Sequence, residues 1–283
     1  MRLRRPLAAL GAVLVMIAMA ACSSPTEAAP KVQLKSGDTG TDVSYPQCGR
    51  QLPADPGALA IVGINGKVAN VPNPCLHEQL EWVRASGKPL MHYVNPSNPV
   101  GEDVDSWPKQ GVTPHGICDG SQKPACSYQY GVDRVTQDVT QFLGVDRLAD
   151  GTMVFIAVEH SFSWANQGPR ALTDEAAAHA SNLATIEGMV SAIQRFGGQP
   201  GIYSTGSDWR ELMGKDVVSG NRLYGIPIWM RGAANKAALP DTCRQPSFTG
   251  GRVVMAQVAG EMRKKSDEPD LADPNPLDFN LVC

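Results

Sequence analysis

The chain of 283 residues carries 28 acidic side chains against 25 Lys and Arg, a formal net charge of −3. That near-neutral balance, with no basic stripe, argues against nucleic acid as a partner. A hydrophobic share of 42% supplies an ordinary core, and beyond residue 37 no linker, repeat or low-complexity tract divides the chain, so one large domain over 38–283 is expected.

The first expected element is a leader. Arg2, Arg4 and Arg5 precede an apolar run over 7–21, closed by Met19-Ala20-Ala21-Cys22. This is the layout of a secretory signal over 1–21, too short to span a bilayer as a retained helix. A cysteine directly after two small residues resembles the lipobox of bacterial lipoproteins, in which that cysteine is acylated and becomes the new N-terminus. Met19 stands where such boxes usually carry leucine, and the other reading is a secreted protein with a free Cys22. The expectation is an exported chain, lipid-anchored through Cys22 on the extracytoplasmic face of the cell membrane, with 22–37 as a Ser-, Pro-, Ala- and Lys-rich tether.

Short β-rich runs bounded by Gly, Pro and Asn predict strands over 39–44, 59–65, 90–95, 153–159, 201–204, 226–230, 252–258 and 277–282. Helical patterns fall between them over 75–86, 130–143, 174–196 and 207–213. In the long one Leu183, Ile186, Met189, Val190 and Ile193 make one buried stripe. Thr173 and Glu175 mark its start, and Gly197-Gly198 its end. Eight strands close a barrel, and strands alternating with helices argue for parallel pairing. The expected fold class is therefore α/β, an irregular TIM-like barrel of eight parallel-type strands with few helices between the last ones. An open, doubly wound sheet is the competing architecture.

Setting Cys22 aside leaves Cys48, Cys75, Cys118, Cys126, Cys243 and Cys283, an even set that reads as disulfides in an oxidising compartment. Proximity favours Cys118 with Cys126. Cys48 with Cys75 and Cys243 with Cys283 follow if neighbouring segments are stapled. No C-x-x-C pair occurs and the five histidines lack ligand spacing, so neither a metal nor another cofactor is expected. Ser204 lacks the preceding glycine of a nucleophile elbow, and the 63–67 run has too few residues between its glycines for a phosphate loop.

In a barrel of this kind chemistry gathers where the strands end and the loops converge. Those ends offer Asp42, Tyr93, Glu159, Tyr203, Trp229 and Gln257, with Asp278 from the last strand. Trp164, in the loop after the fourth strand, reads as an exposed groove residue. Carboxylates, amides and aromatic faces on one rim suit a carbohydrate, whose CH faces stack on aromatic rings while its hydroxyls bond to acids and amides.

Five motifs in order carry a resemblance. Gly40-Thr41-Asp42-Val43-Ser44, Gly201-Ile202-Tyr203-Ser204, Pro227-Ile228-Trp229, Ala256-Gln257 and Leu277-Asp278-Phe279-Asn280 resemble the strand motifs of the family 25 glycoside hydrolases, the lysozyme-like muramidases. The cysteine-bearing variants around Cys48 and Cys75 look like an actinobacterial branch of secreted, barrel-like proteins. The resemblance implies a cell-wall glycan such as peptidoglycan as partner, Glu159 as the acid that protonates the leaving oxygen, and Asp42 and Asp278 in support. It would place Tyr93, Tyr203, Trp229, Gln257 and Trp164 along the substrate.

One departure stands out. The family's fourth strand carries D-x-E, two acids on one face, whereas this chain reads Ala157-Val158-Glu159. Losing a preorganised charge of that kind costs on the order of 10²–10³ in rate. His160 is no substitute, because strand alternation turns it to the opposite face. Three readings remain open: a glycosidase anchored in the envelope, a barrel that binds wall glycan with turnover reduced or lost, and a barrel whose rim meets another protein.

Overall fold

The protein is described by a computed structural model over residues 34–100, 105–168, 171–260 and 277–283. The expected leader, Cys22 and the tether up to residue 33 lie outside the described residues. Leu34 packs against the barrel's inner cluster, and the backbone N–H of Gly37 donates to the Val282 carbonyl at 3.0 Å. Residues 34–37 thus belong to the folded body, ahead of the expected boundary at 38.

The chain opens with β1 (Thr39–Val43), β2 (Leu59–Gly63), α1 (Leu76–Ser86) and β3 (Leu90–Val94). A small hairpin of β4 (Gly111–Thr113) and β5 (Gly116–Cys118) leads into α2 (Pro124–Gln137), which a π turn extends over Asp138–Phe142. Then come β6 (Met153–Ala157), α3 (Glu175–Arg195), β7 (Gln199–Ser204) and α4 (Gly206–Met213). Last are β8 (Ile228–Met230), the short α5 (Leu239–Thr242), β9 (Val253–Val258) and β10 (Asp278–Val282). Eight strands close a barrel in the order β1-β10-β9-β8-β7-β6-β3-β2. Each matches an expected run to within two residues at either end.

One strand departs from the all-parallel expectation. β10 runs antiparallel to both β1 and β9, while the other pairs are parallel. A parallel return needs a crossover, usually a helix, and the sequence between β9 and β10 has no helical pattern. The chain therefore re-enters the sheet at the end where β9 leaves it.

Alternation along the strands sorts two cores. Inside the barrel, Leu59, Ile61, Phe155, Trp229 and Met255 are buried together, with Met91, Tyr93, Met153 and Tyr203 packed on them. On the outer face, Val62, Val94, Val154, Ile156, Ile202 and Ile228 meet Ile186, Met189 and Ile193 of α3, the stripe that the helical period marks out. α2 and α3 touch backbone to backbone. A Cβ on Gly131 would lie 2.1 Å from the Thr185 carbonyl oxygen, and one on Gly188 would lie 2.0 Å from that of Tyr128.

Local signals explain most boundaries, with some shifts. The cap of α3 is Asp174, whose carboxylate accepts from Ala177 N–H at 3.1 Å, rather than Thr173. α2 begins at Pro124, earlier than expected, because a proline is at home in a first helical turn and Cys126 is tied there to Cys118. All three bridges join the expected partners: Cys48–Cys75, Cys118–Cys126 and Cys243–Cys283.

Candidate functional site

A cleft of about 310 Å³ opens at the barrel mouth, lined by Asp42, Tyr93, Glu159, Tyr203, Trp229, Arg231, Gln257 and Asp278 among others. The parallel strands present their C-terminal residues here. β10 presents its first residue, because it runs the other way. Asp42 and Asp278 are thus direct register partners across the β1–β10 pair.

A network of amides ties these two acids together. Asp42 Oδ2 accepts from Asn280 Nδ2 at 2.6 Å and from Gln257 Nε2 at 3.0 Å. The same Gln257 nitrogen donates to Asp278 Oδ2 at 3.4 Å, and the Gln257 carbonyl accepts from the Tyr203 hydroxyl at 2.5 Å. Asp278 Oδ1 takes the Gly260 N–H at 2.5 Å, and the Trp229 indole donates to Asn280 Oδ1 at 3.0 Å. Burial, reinforced by the charge of Asp278 opposite, pushes the Asp42 carboxyl from 3.8 up to about 8, against the pull of the Asn280 and Gln257 hydrogen bonds. Asp42 therefore keeps a proton at neutral pH.

The aromatic residues form the floor. Trp229, 1% exposed, meets Tyr203 at 4.4 Å, Phe155 at 5.2 Å and Tyr93 at 6.2 Å between ring centroids, all inclined rather than parallel. It is a buried base for the cleft and not an open stacking face. Tyr93 donates to Ser44 Oγ at 2.5 Å. Gly63 makes room for that pair, since a Cβ there would stand 2.6 Å from Ser44 Cβ and 2.7 Å from the Tyr93 ring. Burial pushes the Tyr93 and Tyr203 hydroxyls well above their usual range, so both stay neutral donors.

Glu159 stands apart from the amide network. Its carboxylate is ion-paired with Arg231, and the same guanidinium lies 3.6 Å from Asp208 Oδ2 of α4. Burial raises the Glu159 carboxyl, with Asp208 and Asp278 adding to the rise, while Arg231 pulls it back. Two residues earlier on the same strand face, Ala157 is 1% exposed and brings no acid. His160 turns away toward α4, 3.1 Å from Glu211 and 3.6 Å from Asp208.

Trp164 requires a correction. It is 2% exposed, and its indole donates to the Glu159 carbonyl at 2.7 Å. The ring braces the backbone that carries Glu159 and does not line the cleft. The remaining expected positions, Asp42, Tyr93, Glu159, Tyr203, Trp229, Gln257 and Asp278, come together at one opening. Arg231 and Asp208 escaped sequence reasoning, since neither sits in a recognisable motif. A basic residue directly after a strand end was the one available signal.

No protein-family model matches this chain, and no curated protein does. Among solved structures, it is similar to a family GH25 lysozyme from Aspergillus fumigatus, with 12% identity and a TM-score of 0.53, over 88% of this chain and 94% of that one. It is also similar to a muramidase from Trichobolus zukalii, with 11% identity and a TM-score of 0.50, over 87% and 93% of the two chains. At such identities the likeness is one of fold: the chain has the irregular barrel of the family 25 lysozymes.

Proposed function

We propose that this protein binds a cell-wall glycan of the peptidoglycan type in the barrel mouth, with hydrolysis reduced or lost. The observation that carries this reading is the state of the β6 end: Glu159 is held by Arg231 while Ala157 leaves the neighbouring acid position empty. A general acid must carry its proton to the leaving oxygen, and the ion pair with Arg231 occupies the Glu159 carboxylate and works against the rise that burial gives it. The absent carboxylate removes charge stabilisation worth on the order of 10²–10³ in rate. The rest of the opening keeps the character of a sugar site, with amides, neutral tyrosine hydroxyls and acids over an aromatic floor. The choice of wall glycan rests on the fold shared with lysozymes and on the export leader. Acylation at Cys22 would hold the barrel on the extracytoplasmic face of the membrane, within reach of the wall.

The converging acids support a second reading, slow turnover. Asp42 keeps a proton at neutral pH in the same cleft as Glu159 and Asp278, so a proton donor is present even with Glu159 paired.

The test is to incubate residues 34–283 with purified peptidoglycan and measure sedimentation with the wall and release of reducing ends. Binding without release, and without change in Glu159→Gln, is the expected outcome. Release by the parent that disappears in Glu159→Gln establishes turnover. Failure to sediment removes the glycan altogether and leaves the barrel rim to a protein partner. Metabolic labelling with a fatty acid, compared with Cys22→Ala, checks the anchor.

A further inference from the structure

We infer that Asp208 and His160 are positioning residues that set how firmly Arg231 holds Glu159, so that the charge of His160 regulates glycan binding from outside the cleft; this rests on the reading of the main cleft given above. One guanidinium nitrogen, Arg231 Nη1, contacts Glu159 Oε1 and lies 3.6 Å from Asp208 Oδ2. The other oxygen of Asp208, Oδ1, is 3.6 Å from His160 Nε2. Four side chains therefore form a continuous run, His160–Asp208–Arg231–Glu159, of which only the last two line the cleft. The fold fixes its outer half. Thr205 Oγ1 accepts the Asp208 N–H at 2.9 Å in the first turn of α4, a place that suits a negative charge. Gln167 Nε2 meets His160 Nδ1 at 2.7 Å, and the opposite ring nitrogen is turned to the acids of α4.

A glycan hydroxyl can use the Glu159 carboxylate as an acceptor only by displacing Arg231. Asp208 is the second carboxylate within reach of that guanidinium, so displacement exchanges one ion pair for another. An imidazole changes its charge between about pH 5 and 8. Neutral, His160 leaves Asp208 to Arg231, and Glu159 is released at little cost. Protonated, it competes for Asp208, and Arg231 stays on Glu159. Among the described residues, the other charged groups facing this run are Glu211, 3.1 Å from His160 Nε2, and Asp278, whose charge reaches both Glu159 and Arg231. His179 of α3 meets the Glu211 carbonyl at 3.2 Å. Asp42 keeps its proton up to about 8, so it contributes little change below neutral pH.

The experiment is titration calorimetry of residues 34–283 at about pH 5 and about pH 7 with a β-1,4-linked N-acetylglucosamine hexamer, which carries no group that titrates in that range. The parent is expected to bind about threefold more tightly at the higher pH, the scale of one partly exposed ion pair. His160→Gln, neutral throughout, should bind at both pH values as the parent does at the higher one. Asp208→Asn should bind at both as weakly as the parent does at the lower one, because the displaced guanidinium finds no second acid. A parent without a pH step, or a step that survives in full in His160→Gln, overturns the regulation alone; in the latter case the step belongs to Glu159 itself. The run is also read without glycan: the Glu159 carboxyl, followed by carbon NMR, should titrate lower in Asp208→Asn, since a like charge is removed, and a carboxyl that does not move overturns the coupling. A parent that binds the hexamer at neither pH overturns the reading of the main cleft and the regulation with it.

Discussion

Asp42 and Asp278 face each other as register partners across the one antiparallel pair that β1 makes, and a single amide nitrogen, Gln257 Nε2, reaches both carboxyls. Like charges placed directly opposite are unfavourable, and the site resolves the conflict by keeping a proton on Asp42. The reversed last strand is what creates this pair. Had β10 run parallel, its first residue would lie at the far end of the barrel.

That proton makes stability depend on pH. The Asp42 carboxyl sits at about 8 in the fold and near its ordinary 3.8 when unfolded, so between these values the folded state binds more protons than the unfolded one. The slope of stability against pH is then negative. Stability is greatest below about pH 4 as far as this group is concerned, and it declines until about pH 8. Melting temperature should fall by several degrees from about pH 5 to about pH 9, and Asp42→Asn should flatten most of that fall. A parent curve that rises over the same range would contradict the assignment of the proton.

Ala157 and Arg231 act on the same carboxyl from different sides, so their substitutions should not be independent. Ala157→Asp alone restores an acid but leaves Glu159 tied to Arg231. Arg231→Gln alone frees Glu159, yet provides no second carboxylate. The double variant supplies both, and release of reducing ends from peptidoglycan should rise by about a hundredfold over the parent, more than the product of the two single effects. Equal rates in all four proteins would mean that the missing carboxylate is not what limits turnover.

Gln257 is the hinge of the amide network, and Gln257→Leu tests it. The substitution removes a donor from Asp42 and Asp278 and the acceptor of the Tyr203 hydroxyl. Asn280 still reaches Asp42 and the Gly260 N–H still reaches Asp278, so the group that loses its acceptor is the Tyr203 hydroxyl, and a buried polar group left so costs roughly 1–3 kcal/mol. The urea midpoint at about pH 6 should drop accordingly, with an unchanged m value if the fold is otherwise kept. Gln257→Glu should be worse as pH rises, because it adds a third acid beside Asp42 and Asp278.

The eight strands were legible because each is a short β-rich run punctuated by Gly, Pro or Asn, and the inner and outer cores follow from simple alternation. The direction of β10 was not, since nothing in Asp278-Phe279-Asn280 encodes polarity; the one hint is that the sequence between β9 and β10 has no helical pattern for a crossover. Strand ends alone pointed to Asp42 and Glu159 at one rim, whereas Asp278, at the start of its strand, drew its role from the resemblance and reaches that rim only because β10 is reversed. The Arg231–Glu159 pair joins residues 72 positions apart and is a purely tertiary fact. Trp164 was misjudged for a related reason: a tryptophan in a loop looks exposed until its indole finds a buried carbonyl. The β4–β5 hairpin was missed because three-residue strands fall below any periodic signal, although its bridge to α2 was visible in the spacing of Cys118 and Cys126.

The bridges should differ in what they protect. Cys243–Cys283 closes a loop of 40 residues and Cys118–Cys126 one of 8. On the chain-entropy account their removal costs about 4 and about 2.5 kcal/mol respectively. The larger loss also falls on the site. Cys283 follows β10, the strand that carries Asp278 and Asn280, and Cys243 directly follows α5, so the bridge anchors the end of the strand that supplies half of the amide network. The double substitution Cys243→Ser/Cys283→Ser should lower both the melting temperature and the affinity for peptidoglycan. Cys118→Ser/Cys126→Ser frees only the hairpin and the start of α2, away from Asp42 and Glu159. It should cost stability while glycan binding at low temperature is retained. Sedimentation with the wall, measured well below each variant's melting temperature, separates the two cases; equal loss of binding in both would place the hairpin at the glycan after all.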